Sequence, residues 1–389
     1  MPKTILRAVA LALCFVLTTS TFAYCSQPSL PALALEESLK SPSVILMDAG
    51  TGTILLEKNE HEPRAIASIT KVMTMLLVLE AIADEKISWD DKVRTSSHAR
   101  SYGGSQIWLE EGETLTVEEL FLAVAVVSAN DCAVALAEFV AGSEEGFVAM
   151  MNERAGQLGM QNTKFTNACG LDIDDPYSSA YDVVLMSREL IRHEKIFDFS
   201  TIRVTALERA KLTSNLTSPN RELLASYSGY DGLKTGKTTK SMWCLSSTAK
   251  RGDLRLIAVV LGAATTTDRR SDIVRLLDYG FANFEGRRIF TEGQEIGTTE
   301  VSKGKHPKVK AIVKDDLDIL TPKGTKGKLE QKTDWLPLTA PLHVGQKVGT
   351  LTVLRDGNDI GCVDLLAAEN VERAPLWLHF ARLWERLLR

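Results

Sequence analysis

Ala67-Ser68-Ile69-Thr70-Lys71-Val72-Met73-Thr74-Met75-Leu76-Leu77-Val78-Leu79-Glu80-Ala81-Ile82 reads, from Ser68 on, as a helix that is apolar on nearly every side. A helix without a polar face has to be buried, so the fold is expected to close around residues 68–82. One lysine enters that run, Lys71, a single turn from Ser68 and on the same face. An amine placed there is costly unless it has a task. Desolvation and a second cation nearby both pull a lysine down from about 10.4 toward neutrality. The free amine can then take the proton of Ser68, while the helix N-terminus favours developing negative charge.

Working outward, Val44–Met47 and Thr53–Leu56 flank Asp48-Ala49-Gly50-Thr51-Gly52, which predicts a hairpin. On the other side, Thr116-Val117-Glu118-Glu119 makes a capping box. Helical stretches follow near Asp131–Val140, Glu144–Leu158 and Ser179–Arg192, punctuated by Gly142 and Gly159. Strands are expected around Trp243–Ala249 and Leu254–Gly262, then a helix over Ser271–Phe281. Strands at both ends of a helical middle imply an α/β sheet covered by helices. Past Phe284 the chain turns to short alternating runs rich in Val, Thr, Lys and Gly, such as Val309–Val313 and Gly349–Leu354. These read as a small all-β domain.

At the N-terminus Lys3 and Arg7 precede an apolar run, Ala8–Leu17, with small residues Thr21 and Ala23 after it. That is the pattern of a cleavable signal peptide; a short retained anchor is the alternative. At the other end Leu376, Phe380, Leu383, Trp384, Leu387 and Leu388 share one helical face, with Arg382, Arg386 and Arg389 elsewhere. The pattern suits a helix lying in a membrane interface, and a helix packed on its own protein uses the same stripe.

Two domains are expected from 389 residues, and 44% hydrophobic with 24% charged residues is ordinary globular composition. A net charge of -5 gives no reason to expect nucleic acid as a partner. Cys25, Cys132, Cys169, Cys244 and Cys362 would remain after removal of the leader. Their spacing has no CxxC pair and reads as neither a disulfide framework nor a metal site. The six histidines lack ligand spacing as well, so no metal or other cofactor is expected.

Ser-x-x-Lys alone is a weak signal, and it recurs at Ser247–Lys250 and Ser302–Lys305, where no buried helix follows. Two further elements share the chain with Ser68 and Lys71. Ser128-Ala129-Asn130 stands between helical segments and would otherwise read as a helix N-cap; Ser218-Pro219-Asn220 has the same form. Lys234-Thr235-Gly236 lies within Tyr230–Lys237 and would otherwise read as a turn. In this order the three are the motif set of the penicillin-recognising serine enzymes.

With Thr166-Asn167-Ala168-Cys169-Gly170-Leu171 added, the chain resembles the low-molecular-mass penicillin-binding proteins, serine-type D-Ala-D-Ala carboxypeptidases. The resemblance runs from about Leu35 to Glu285. It implies a β-lactamase/transpeptidase-like domain, an antiparallel sheet flanked by helices, followed by a small all-β domain and a C-terminal amphipathic helix. The expected organisation is signal peptide 1–23, linker 24–35, DD-peptidase domain 36–284, β-rich domain 285–372 and membrane-associating helix 373–389.

The resemblance also implies the chemistry. Ser68 is expected as nucleophile, Lys71 as its base, and Ser128 with Lys234 as the relay of a proton to the leaving amine. Asn130 would hold the substrate amide, Thr235 and Gly236 would line the pocket for the terminal carboxylate, and Arg269 would bind that carboxylate. The charge of Lys234 is expected to keep Lys71 neutral. Lys237 stands where many relatives have His after Lys-Thr-Gly, and Pro176 where they often have His before Tyr177. The implied partners are peptidoglycan stem peptides ending in D-Ala-D-Ala, β-lactams as covalent inhibitors, and a membrane surface outside the cytoplasm. A β-lactamase, a DD-endopeptidase or a non-catalytic penicillin-binding scaffold are the competing readings. The chain lacks any Leu-Asn dipeptide, so the Glu-x-x-Leu-Asn segment of one β-lactamase class is missing.

Overall fold

The computed structural model describes residues 32–378, 380 and 384. The expected signal peptide, the start of the linker, and Leu383, Leu387 and Leu388 of the tail lie outside the described residues.

A five-stranded sheet forms the centre, in the order Ile54–Lys58, Ser43–Asp48, Leu254–Ala263, Met242–Arg251, Tyr230–Thr238, with every neighbouring pair antiparallel. Both faces are covered, and the two-residue period of a strand divides the side chains between two cores. Ile45, Met47, Ile257, Val259 and Leu261 join one core; Val44, Leu46, Leu256, Ala258 and Val260 join the other.

The first core is the helical side, built on the helix Lys71–Ala83 and ringed by Val117–Val127, Asn130–Ala141, Glu144–Gln157 and Ala180–Leu190. Ten of its thirteen residues are buried in Lys71–Ala83, as an all-round apolar run requires. The capping box forms: Thr116 Oγ1 accepts from the Glu119 N–H at 3.0 Å, and the Glu119 carboxylate accepts from the Thr116 N–H at 2.7 Å.

The second core packs against the helix Thr266–Asn283. That helix starts before the expected Ser271, because Thr265 caps it by accepting from the Asp268 N–H. The earlier start puts Arg269 in its first turn. A helix at Ala32–Ser38 occupies the end of the stretch read as a linker, since burying Leu35 and Leu39 against this core favours order there.

The chain passes from Asn283 directly into a β domain. Phe284–Phe290 pairs with Leu317–Pro322, and a six-stranded sheet closes over Val309, Ala311, Val313, Leu351, Val353 and Leu365. The expected runs Val309–Val313 and Gly349–Leu354 lie in its strands Lys308–Val313 and Lys347–Arg355. At the tail, Leu376, Trp377, Phe380 and Trp384 are exposed. Among the described residues, no helix is long and apolar enough to cross a membrane.

Phe121 ties the helix Val117–Val127 to the short helix Ile196–Ser200: its ring meets Trp89 at 5.3 Å and Phe199 at 4.9 Å, and it is wholly buried. Phe121→Ala is expected to cost about 3–5 kcal/mol, read from the shift in the denaturant midpoint at unchanged slope.

Candidate active site

Ser68 does not lie within the α-helix. Ala67–Thr70 forms a tighter 3₁₀ turn and the α-helix begins at Lys71. Residues three apart eclipse in a 3₁₀ turn, which brings Lys71 Nζ to 3.0 Å from Ser68 Oγ. Ala67, just before the nucleophile candidate, has a left-handed backbone (φ +48°). The edge strand Tyr230–Thr238 presses on this turn at Gly236, where a Cβ would strike the carbonyl of Ile66 and the backbone of Ile69. Lys234-Thr235-Gly236 is thus strand, not turn.

Lys71 is fully buried and has three acceptors around its amine: Asn130 Oδ1 at 2.6 Å, the Cys169 carbonyl at 2.7 Å and Ser68 Oγ at 3.0 Å. An ammonium has three protons to donate, so every one is used. Burial lowers Lys71 from 10.5 to about 8, with Cys169 and Asp131 opposing the shift. Lys234, also buried, is driven well below the lysine range, first by burial and then by the charges of Lys71 and Arg269. Its amine reaches only the Thr235 carbonyl, at 3.1 Å, among the described residues. Lys71 thus has three acceptors where Lys234 has one among the described residues. The surroundings of Lys71 therefore favour a proton there more than those of Lys234 do.

Ser128 ends the helix Val117–Val127 in the left-handed region (φ 67°), so it is a C-cap and not an N-cap. Its buried Oγ has no hydrogen-bond partner among the described residues. Asn130 starts the next helix and is held by its own amide, which donates to the Gly103 carbonyl at 2.7 Å, leaving Oδ1 for Lys71. Thr235, next to Lys234 in the same strand, is buried, as is Arg269 of the helix Thr266–Asn283, whose charge acts on Lys234. Arg269 lies 5.5 Å above the Trp243 ring and reaches the Cys244 carbonyl at 3.5 Å, while its Nε has no partner among the described residues. Lys237 covers the same ring at 5.6 Å. Lys237 thus adds a second positive charge near that ring. Ser68, Lys71, Ser128, Asn130, Lys234, Thr235, Gly236 and Arg269 thus fall around one region.

The recurrent motifs do something else. Ser247 donates to the Ala258 carbonyl inside the sheet, and Asn220 packs beneath Leu233 at the strand's back. Two functional supports carry no motif of their own. Asn167 Oδ1 accepts from the N–H groups of Cys169, Gly170 and Leu171, which fixes the carbonyl that faces Lys71. Buried Glu144 accepts from the Ala168 N–H and bonds His98 and Tyr102, tying that loop to the wall beside Asn130. The quoted stretch Thr166–Leu171 pointed to the first; nothing in the spacing of Glu144 points to the second.

A serine and a lysine that share a proton at the end of a buried helix, with a second lysine on the sheet edge, define a serine hydrolase that works through an acyl-enzyme. A family model described as D-alanyl-D-alanine carboxypeptidase matches residues 30–265, and one described as Penicillin-binding protein 5, C-terminal domain, matches 284–373. The D-alanyl-D-alanine carboxypeptidase DacF of Bacillus subtilis (strain 168) is 40% identical over 341 residues, 86% of this chain and 87% of that protein. The crystal structure of penicillin binding protein 5 from Haemophilus influenzae superposes with a TM-score of 0.70 at 31% identity, covering 86% of this chain and 98% of that one. Penicillin-Binding Protein D2 from Listeria monocytogenes, solved in its ampicillin-bound form, gives a TM-score of 0.56 at 33% identity over 62% of this chain and 98% of that one. The chain belongs to the D-alanyl-D-alanine carboxypeptidase family, and it is a serine-type D-Ala-D-Ala carboxypeptidase.

Gly170 tests the support under Lys71. It has φ +83°, and a Cβ there would run into the carbonyl of Ala67 and the hydroxyl of Thr70. Gly170→Ala is expected to cost at least about 2 kcal/mol and to slow covalent labelling by benzylpenicillin, because the Cys169 carbonyl and the Ser68 turn cannot both keep their places. A thermal melt and a labelling time course measure the two effects.

Proposed function

We propose that Ser68 is the nucleophile and Lys71 its general base, and that the arrangement of acceptors around Lys71 makes the base directional. As a free amine Lys71 has two protons and one lone pair. Asn130 Oδ1 and the Cys169 carbonyl are pure acceptors, so they hold the two protons. The lone pair is left facing Ser68 Oγ, 3.0 Å away. This is the observation that carries the reading.

The terminal carboxylate of a stem peptide would enter beside Lys234, Thr235 and Arg269. An anion there favours the charged form of Lys234, and the charge on Lys234 then favours the free amine on Lys71. Substrate binding itself would arm the base. Ser68 Oγ attacks the carbonyl carbon of the penultimate D-alanine while its proton passes to Lys71. The peptide bond breaks as the leaving nitrogen takes a proton through the Ser128 hydroxyl, and water later releases the acyl group from Ser68. Asn130 would hold the substrate amide, and the backbone N–H of Lys237 would help stabilise the oxyanion. β-Lactams would acylate the same serine, in keeping with the ampicillin complex of the Listeria relative.

Export by residues 1–23 and peripheral attachment by residues 373–389 complete the reading. Its support is the charge and apolar pattern of both ends, and the exposure of Leu376, Trp377, Phe380 and Trp384. Truncation before Ala374 is expected to abolish sedimentation with anionic vesicles while leaving turnover of a small soluble peptide intact. Loss of turnover or of folding would show that the tail packs on its own protein.

The catalytic assignment is tested by mass and by pH. Benzylpenicillin is expected to add to Ser68, and Ser68→Ala to abolish both the adduct and D-alanine release. Acylation requires the free amine of Lys71, whose pKa is lowered to about 8. The acylation rate should therefore climb with pH below about 8 and level off above it. Lys71→Ala should lower the rate at least about a hundredfold and remove the pH dependence. A flat profile in the native protein would sink the assignment of the base.

A further inference from the structure

We propose that Trp108 is a specificity-determining residue, an aromatic platform for an amine-bearing aliphatic residue of the stem peptide on the acyl side of the scissile bond. The proposal rests on the reading of Ser68, Lys71 and Asn130 given above. Trp108 is 71% exposed and has φ +57°, a conformation that bulky side chains avoid. A single exposed tryptophan needs no explanation, but a strained one does, because strain persists only where the surroundings over-determine it.

The surroundings here are two buried charged side chains. Asp131 is fully buried, and its two oxygens accept from the N–H groups on either side of Trp108, Ile107 at 3.3 Å and Leu109 at 3.0 Å. Arg209, from the hairpin Val204–Thr217, donates to the carbonyls of Ile107 at 2.6 Å and of Trp108 itself at 3.1 Å, and pairs with Glu113. Ile107 and Leu109 go into the core as a result, and the indole between them is turned out.

The same loop is fastened to the active site. Its Ser105 carbonyl accepts from the Asn130 N–H at 2.7 Å and its Gly103 carbonyl from the Asn130 side chain at 2.7 Å, and Asn130 in turn holds Lys71. Trp108 is three positions beyond Ser105, a reach of at most about 11 Å in an extended peptide. Bound with its carboxylate at Lys234 and Arg269, a substrate would bring its residues before the penultimate D-alanine to this side. Glu110 and Glu111 come just after Trp108 and are exposed; Glu110 is ion-paired with Lys211, which leaves Glu111 as the carboxylate open to a ligand. An aromatic face next to carboxylates suits methylene groups that end in an ammonium.

The test compares N-acetyl-D-Ala-D-Ala with a longer peptide ending in L-Lys-D-Ala-D-Ala. Trp108→Asn tolerates the left-handed backbone and removes the ring; Trp108→Phe keeps a ring. For the lysine peptide, kcat/KM is expected to fall about tenfold in Trp108→Asn and to recover in Trp108→Phe, with less than twofold change for N-acetyl-D-Ala-D-Ala. The melting temperature of Trp108→Asn should be equal or higher, since the strain is relieved. Equal losses on both peptides, or no loss on the lysine peptide, would overturn the proposal. The rate of benzylpenicillin addition to Ser68, measured on the same variants, reports separately on the catalytic reading.

Discussion

A primary ammonium buried at the foot of an apolar helix must find three acceptors, and the catalytic half of this molecule is arranged around supplying them. Each acceptor around Lys71 comes from a different part of the chain: the turn Ala67–Thr70, the start of the helix Asn130–Ala141, and the loop Thr166–Leu171. Leaving any of them out would strand a buried charge, which costs several kcal/mol. The demand therefore acts as a positioning force. It gathers segments about a hundred residues apart in sequence onto one atom, and the substrate-facing groups of those segments arrive with them.

Holding so many partners on one amine forces the backbone into uncommon shapes. Ala67 and Ser128 both adopt left-handed conformations, and each belongs to a segment that touches Lys71 directly or through its neighbour. Such conformations cost of order 1–3 kcal/mol apiece and survive only on a rigid scaffold. The scaffold is the pair of cores on either side of the sheet. The helix that carries Lys71 is buried along its length, and the strand that carries Lys234 is pressed onto the Ser68 turn at Gly236. Stability away from the site thus sustains strain within it.

That division also explains what could be read from the sequence. Periodicity and capping are local, so the buried helix, the capping box at Thr116 and the strands Ser43–Asp48, Met242–Arg251, Leu254–Ala263, Lys308–Val313 and Lys347–Arg355 were legible, to within a few residues at their ends, while the edge strand Tyr230–Thr238 was not. The Ser-x-x-Lys and Lys-Thr-Gly motifs were legible because side-chain identity is what they require. Contributions made by the backbone were not. The Cys169 carbonyl, the left-handed turn at Ser128 and the outward indole of Trp108 depend on which way a peptide unit faces, and that is set by Asn167, Asp131 and Arg209 from elsewhere in the fold. The start of the helix at Thr266 was missed for a smaller reason: Thr265 and Asp268 make a cap without an apolar run to announce it.

The resting proton was also beyond the sequence, because it depends on counting acceptors. Two buried lysines near one another cannot both stay charged, and residue types alone do not say which one yields. Three acceptors at Lys71 against one at Lys234 favour the proton on Lys71. The same count shows why the arrangement suits a hydrolase that waits for an anionic substrate. In the proposed mechanism a charged Lys234 favours the free amine of Lys71, so more of the base would be available once a carboxylate is bound. Arg269 and Lys237, both close to the Trp243 ring, would contribute by drawing the anion toward Lys234. The charge of Arg269 lowers Lys234 before binding and would be offset by a bound carboxylate, so the equilibrium between the two lysines would respond to the substrate.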